Sequence, residues 1–124
     1  MTADADGGDG LVLALSTAPD AAEAGRIARA LVDERLIACA SLLPGVTSVY
    51  RWEGQVQSEA EVMMVMKTRR ALVPRLKERL PSLHPYQVPE LVVAPVVDGL
   101  EPYCRWVRDE TRGQHVGDQA GRTV

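Results

Sequence analysis

Residues 36–68 read LIACASLLPGVTSVYRWEGQVQSEAEVMMVMKT, and this stretch predicts a long β-hairpin. Glu53-Gly54 lies at its centre, and a two-residue loop that ends in glycine is typical of a tight hairpin turn. If Trp52 pairs with Gln55 across the turn, every residue of one arm has a defined partner on the other. The turn therefore fixes the register of the whole hairpin.

The hairpin is longer than a domain of this size requires. Each arm has about 14 residues, whereas a strand usually has about five or six. Outward pairing from the turn brings Val46 opposite Glu61. Pro44-Gly45 interrupts the first arm beyond that pair, and we expect a bulge or bend there.

The elements around the hairpin alternate between strands and helices. They are predicted from hydrophobic periodicity and cap residues: a buried strand at 11–17, a helix at Asp20–Glu34, a helix at Ala71–Ser82 whose regular pattern stops at Pro81, a buried strand at 90–97, and a terminal helix within 100–112. The order β-α-β-β-α-β-α predicts an α+β, ferredoxin-like (split βαβ) fold. Its antiparallel sheet would carry both long helices on one face.

Length and composition limit the functional classes. The 124 residues suffice for one domain, predicted at 11–112, between disordered tails at 1–10 and 113–124. The net charge of -3 argues against nucleic-acid binding, and the apolar runs are too short to span a membrane. The acidic, glycine-rich N-terminus does not resemble a secretory signal, so we expect a cytoplasmic protein with reduced cysteines.

His84 lies in the rigid stretch LHPYQVPE (83–90) and is the first candidate for chemistry. A neutral imidazole can ligate a metal or transfer a proton. It can equally cap the preceding helix or hydrogen-bond a backbone carbonyl. A metal site needs further ligands, and no spacing in the sequence requires Cys39, Glu59, Glu61 or Glu90 to join it.

Other candidates follow the hairpin. Lys67 shares a strand face with Glu59 and Glu61, so it could line an anion pocket, face solvent or form a salt bridge between chains. Tyr50 and Trp52, near the tip, could pack on a neighbouring subunit or stack on a ligand.

Two further patterns bear on function. Met64 and Met66 alternate with Met63, which favours core packing over soft-metal ligation. The sequence contains no GxSxG, HExxH, P-loop or GxGxxG motif, which argues against an enzyme.

Three segments together resemble the CutA divalent-cation tolerance proteins: 34–68, LHPYQVPELVV (83–93) and YCRWVRDET (103–111). The similarity covers about residues 11–112. It implies a cytoplasmic, ferredoxin-like homotrimer held together by long hairpins, with an architecture related to PII signalling proteins and a role in tolerance of copper and other divalent metals.

The resemblance also implies a site. His84, with Glu90 or another carboxylate, would bind copper or another divalent cation weakly, although Ser16 and Leu83 replace a cysteine and a histidine of some members. The remaining positions that match the family's cleft between subunits are Tyr50, Trp52, Lys67, Tyr86 and Trp106. Two alternatives to a metal-response protein stay open: a PII-like sensor of a small anion, and a structural trimer that scaffolds a partner protein.

Overall fold

A computed structural model of the chain describes residues 9–113. Its elements are β1 (Leu11–Ala18), α1 (Ala21–Asp33), β2 (Cys39–Trp52), β3 (Gln55–Arg69), α2 (Val73–Leu83), β4 (Val92–Pro95) and α3 (Glu101–Glu110). A 3-10 turn, Arg70–Leu72, leads into α2. The sheet order is β2-β3-β1-β4 with every neighbouring pair antiparallel, which confirms the ferredoxin-like fold.

The hairpin has the predicted register. Trp52 pairs with Gln55 and Val46 with Glu61, and the pairing shifts between Leu43 and Val46. The shift lies at Pro44-Gly45, where Gly45 has φ +79°, a conformation that glycine adopts without strain. The bulge is thus where the long strand changes its pairing.

One face of the sheet forms the core with α1 and α2. Met64 and Met66 of β3 are fully buried there, together with Ala14 of β1, and they pack against Ile27 of α1 and Leu76 of α2. Asp20 caps α1 because its side chain accepts the N–H of Glu23 at 2.8 Å. The prediction that Met64 and Met66 pack in the core is confirmed.

We call the opposite side of the sheet the open face. It presents alternate residues of the strands, including Leu13, Leu15, Met63, Val65 and Lys67, all of them only half-buried. α3 covers one end of this side, where Val107 packs with Leu11 and Ala38. No other helix or strand among residues 9–113 covers the open face, although the loop after α2 reaches it at Glu61 through Tyr86.

The prediction for the last strand was wrong in detail. The last strand is shorter than 90–97, and it is exposed in the single chain: Val92 is 54% exposed. It is an edge strand that pairs only with β1, so the apolar run does not reflect burial within one copy. The helix predicted at Ala71–Ser82 begins two residues later, at Val73, and continues one residue further, to Leu83, with Pro81 inside it.

Polar contacts hold the residue Asp9, before β1, and the residues that follow α3. Arg69 bonds Asp9 at 3.2 Å and both the hydroxyl and the carbonyl of Thr111 at 2.9 Å. Asp9 therefore belongs to the ordered fold, whereas the sequence predicts that it lies in a disordered tail. Residues 1–8 and 114–124 of the predicted tails lie outside the described residues. Among residues 9–113, no helix is both long enough and apolar enough to cross a membrane.

Candidate functional site

His84 is held between two backbone groups. It follows α2 directly and is 8% exposed, with Nε2 2.7 Å from the carbonyl oxygen of Thr17 and Nδ1 3.1 Å from the N–H of Tyr86. The neutral tautomer with its proton on Nε2 satisfies both contacts, because Nε2 then donates and Nδ1 accepts. The imidazole thus joins the end of β1 to the loop after α2.

Tyr86 turns this loop toward the open face. Its ring lies against that of His84, with centroids 4.8 Å apart. Its hydroxyl donates to Glu61 Oε2 at 2.5 Å. Burial and this hydrogen bond raise the pKa of Tyr86 above its usual value, so the phenol stays protonated and remains a donor.

Glu61 is the centre of a negatively charged group. It lies midway along the hairpin, next to the last pair that β3 makes with β1, and the residue is only 9% exposed. Tyr50 lies nearby: partial desolvation, with the charges of Glu59 and Glu61, raises its pKa. Two carboxylates and two phenols therefore share one region, and Glu61 has no ion pair within the part of the chain that the structure describes.

Lys67 lies at the other end of the same strand face. It pairs with Cys39 on β2 and with Leu13 on β1, so these three side chains form one row across the sheet. The Cys39 sulfur lies 3.4 Å from the hydroxyl of Tyr103 on α3. That contact and, to a smaller extent, burial of the phenol raise the pKa of Tyr103 to about 12.

The sequence-predicted residues thus fall into separate groups. Tyr50, Tyr86 and His84 come together around Glu61, midway along the hairpin, while Lys67 lies at the far end of the open face with α3. Trp52 stands at the hairpin tip and Trp106 stacks near Tyr103, with ring centroids 5.6 Å apart. Glu90 is exposed and precedes β4.

Sequence reasoning missed the contacts of Glu61 with Tyr86 and of Cys39 with Tyr103. Each joins residues 25 or more positions apart, and no motif encodes such a pairing. The one available signal was that Glu59, Glu61 and Lys67 share a strand face, which places Glu61 among the candidates without naming its partner.

No preformed metal centre is present within residues 9–113. No group of three or more histidine, cysteine, aspartate or glutamate side chains there could hold an ion. Ser16, at the position where a cysteine would supply a soft ligand, is fully buried, and its hydroxyl has no hydrogen-bond partner in this part of the chain. A cation at His84 would have to displace the Thr17 carbonyl or the Tyr86 N–H and draw on ligands from elsewhere.

Residues 12–110 match the family model described as CutA1 divalent ion tolerance protein. The chain belongs to this family. A divalent-cation tolerance protein CutA from Thermus thermophilus is 46% identical over 97 residues, which are 78% of this chain and 94% of that protein. The chloroplastic Protein CutA of Arabidopsis thaliana is 38% identical over 96 residues, which are 77% of this chain. The CutA-like chain spans only 53% of that plant protein.

Solved CutA structures share the fold. A crystal structure of CutA from Xylella fastidiosa, 40% identical in sequence, superposes with a TM-score of 0.79 over 82% of this chain and 97% of that one. The resemblance seen in the sequence is therefore confirmed at the level of both family and fold.

Proposed function

We propose that this chain is a cytoplasmic, non-enzymatic homotrimer that takes part in tolerance of divalent metal ions. The single observation that carries the proposal is the family match over residues 12–110.

We further propose that copper or another divalent cation binds weakly in a cleft between subunits, with His84 and Glu90 as ligands. Both ring nitrogens of His84 already have partners, so a bound ion must compete with a backbone contact. This competition reduces affinity. Tyr50, Trp52, Lys67, Tyr86 and Trp106 would line the clefts.

The trimer is supported by the surface that one copy leaves uncovered. Tyr50 and Trp52 are each 42% exposed on the hairpin, and the half-buried apolar residues of the open face continue from them. A projecting hairpin with this composition is typical of an interface rather than of a solvated surface.

Calorimetric titration with Cu(II) and with Zn(II) tests the metal site. We expect weak, saturable binding to the wild type that is lost in His84→Gln, whose amide can still donate to the Thr17 carbonyl. The matched control is His115→Gln, since His115 is the second of the two histidines and lies outside the described residues. Equal heats from the wild type and His84→Gln would contradict the role of His84.

A further inference from the structure

We propose that Lys67 of one copy neutralises Glu61 of the next across the open face, and that this pair sets the register of the assembly. The inference rests on the homotrimer proposed above. It goes beyond that proposal because it names the two groups that meet and makes the Glu61 site incomplete without a second copy.

The first observation is a buried charge without a counter-charge. Glu61 is 9% exposed, and its carboxylate contacts a neutral hydroxyl, that of Tyr86. No lysine, arginine or histidine among residues 9–113 lies within ion-pair distance of it. A desolvated carboxylate is costly unless a positive charge compensates it, so the fold of one copy leaves the site in need of a cation.

The second observation is a half-buried lysine that also lacks an ion-pair partner among residues 9–113. Lys67 makes no ion pair with the carboxylates of the described chain, although it is set into the row of Cys39 and Leu13. It stands six positions after Glu61 on the same strand, so both side chains point to the open face. At about 3.3 Å per residue they are roughly 20 Å apart, too far for them to pair within one copy.

The surface between the two charges is apolar. Met63 and Val65 separate them on β3, and Leu13 and Leu15 flank these residues on β1. The open face therefore has a negative end, an apolar middle and a positive end. The interfaces of a closed trimer run head to tail, so the negative end of one copy can meet the positive end of its neighbour.

A lysine fits Glu61 better than a metal ion does. The neighbourhood supplies Glu59, two phenols and, next to Tyr86, His84, whose two ring nitrogens already have backbone partners. No three histidine, cysteine, aspartate or glutamate side chains among residues 9–113 are grouped so that they could hold an ion. An ammonium group needs only one or two oxygen acceptors, and the unused lone pairs of the Glu61 carboxylate supply them.

Carbodiimide coupling of the wild-type protein tests the pair directly, because the reagent joins a carboxylate to an amine only where the two are in contact. We expect covalent dimers and trimers on denaturing gels, with a Glu61–Lys67 amide identified by mass spectrometry of the digested bands. Lys67→Arg keeps the charge but cannot form this link, and Glu61→Gln also abolishes it. The matched control, Glu59→Gln, leaves it intact.

The outcomes separate this inference from the proposed trimer. A trimeric mass in solution with cross-links at other positions but none between Glu61 and Lys67 would overturn the ion pair and leave the trimer standing. A monomeric mass would overturn both. Loss of Cu(II) or Zn(II) binding in Glu61→Gln, with Lys67 not coupled, would identify the occupant as a metal ion and also overturn the inference.

Charge exchange gives a second readout. Lys67→Glu places two carboxylates in contact, and we expect it to weaken association by about tenfold or more. Adding Glu61→Lys should restore association to within a few-fold of the wild type. No recovery in a double variant with the native circular dichroism spectrum would contradict the pairing.

Discussion

Glu53 adopts a backbone conformation that its side chain disfavours. Its φ is +50° and that of Gly54 is +80°, the combination that a type I′ hairpin turn requires. A residue with a Cβ atom is strained in this left-handed region, whereas asparagine tolerates it well. The turn that sets the hairpin register therefore contains one residue that is not optimal for it.

Replacing Glu53 with asparagine is expected to stabilise the protein. The relief of strain should raise the free energy of unfolding by about 0.5–1 kcal/mol. The measurement is urea denaturation at one fixed protein concentration, because association also contributes to stability. The control is Glu53→Ala, which removes the charge but keeps the strain. An equal gain in both variants would show that charge, and not backbone strain, is responsible.

At the scale of elements, β3 separates two kinds of surface by simple alternation. Met64 and Met66 are fully buried against the helices, while Met63 and Val65 remain half-buried on the open face. Successive residues of a strand point to opposite faces, so neighbouring methionines have different roles. Met64 stabilises the fold of the single chain, whereas Met63 belongs to the surface available for association.

Alanine substitution of the two methionines should separate these roles. Met64→Ala leaves a cavity in the core and should lower the free energy of unfolding by about 2–5 kcal/mol. Met63→Ala should lower the free energy of unfolding by less than Met64→Ala does, and it should weaken association between copies by more. Urea denaturation and a dilution series followed by light scattering measure the two effects. A larger loss of folding stability in Met63→Ala would contradict the assignment of the faces.

The docking of α3 on the sheet should depend on alkaline pH. The contact with Cys39, and burial, raise the pKa of Tyr103 from 10.0 to about 12. The folded state therefore holds this proton more tightly than the unfolded chain does. The resulting stability is complete below pH 10 and is lost as the pH rises toward 12.

Denaturation at a series of pH values checks this prediction. Between pH 10 and 12, the wild type should lose stability more steeply than Tyr103→Phe, which has no phenol to ionise. Absorbance of the phenolate should show one tyrosine titrating near pH 12 that is absent from the variant. A phenolate signal from Tyr103 near pH 10 would contradict the raised pKa.

At the scale of the whole molecule, the sequence predicts the architecture better than it predicts the site. The turn at Glu53-Gly54 and the period of two determine the pairing of β2 with β3, so the register could be derived residue by residue. The prediction that residues 90–97 are buried was wrong. An apolar run indicates that a segment favours burial, but it does not indicate whether the same copy or another copy buries it. The contact of Tyr86 with Glu61 depends on how a loop meets a distant strand, and local patterns do not contain that information.

The same reasoning explains the half-buried surface. A chain that leaves Val92 exposed on an edge strand and two aromatic residues on a projecting hairpin carries apolar area that a single copy does not cover. The proposed trimer would cover this area and bring together the separated charges of Glu61 and Lys67. The central claim is therefore that the functional unit contains more than one chain.

The most direct test of this claim is the mass of the wild-type protein in solution, measured by size-exclusion chromatography with multi-angle light scattering. Three copies of the 13.5 kDa chain predict a mass of about 40 kDa. We expect this value to persist on dilution into the low micromolar range. A mass of 13.5 kDa would contradict the trimer, the clefts between subunits and the pairing of Glu61 with Lys67.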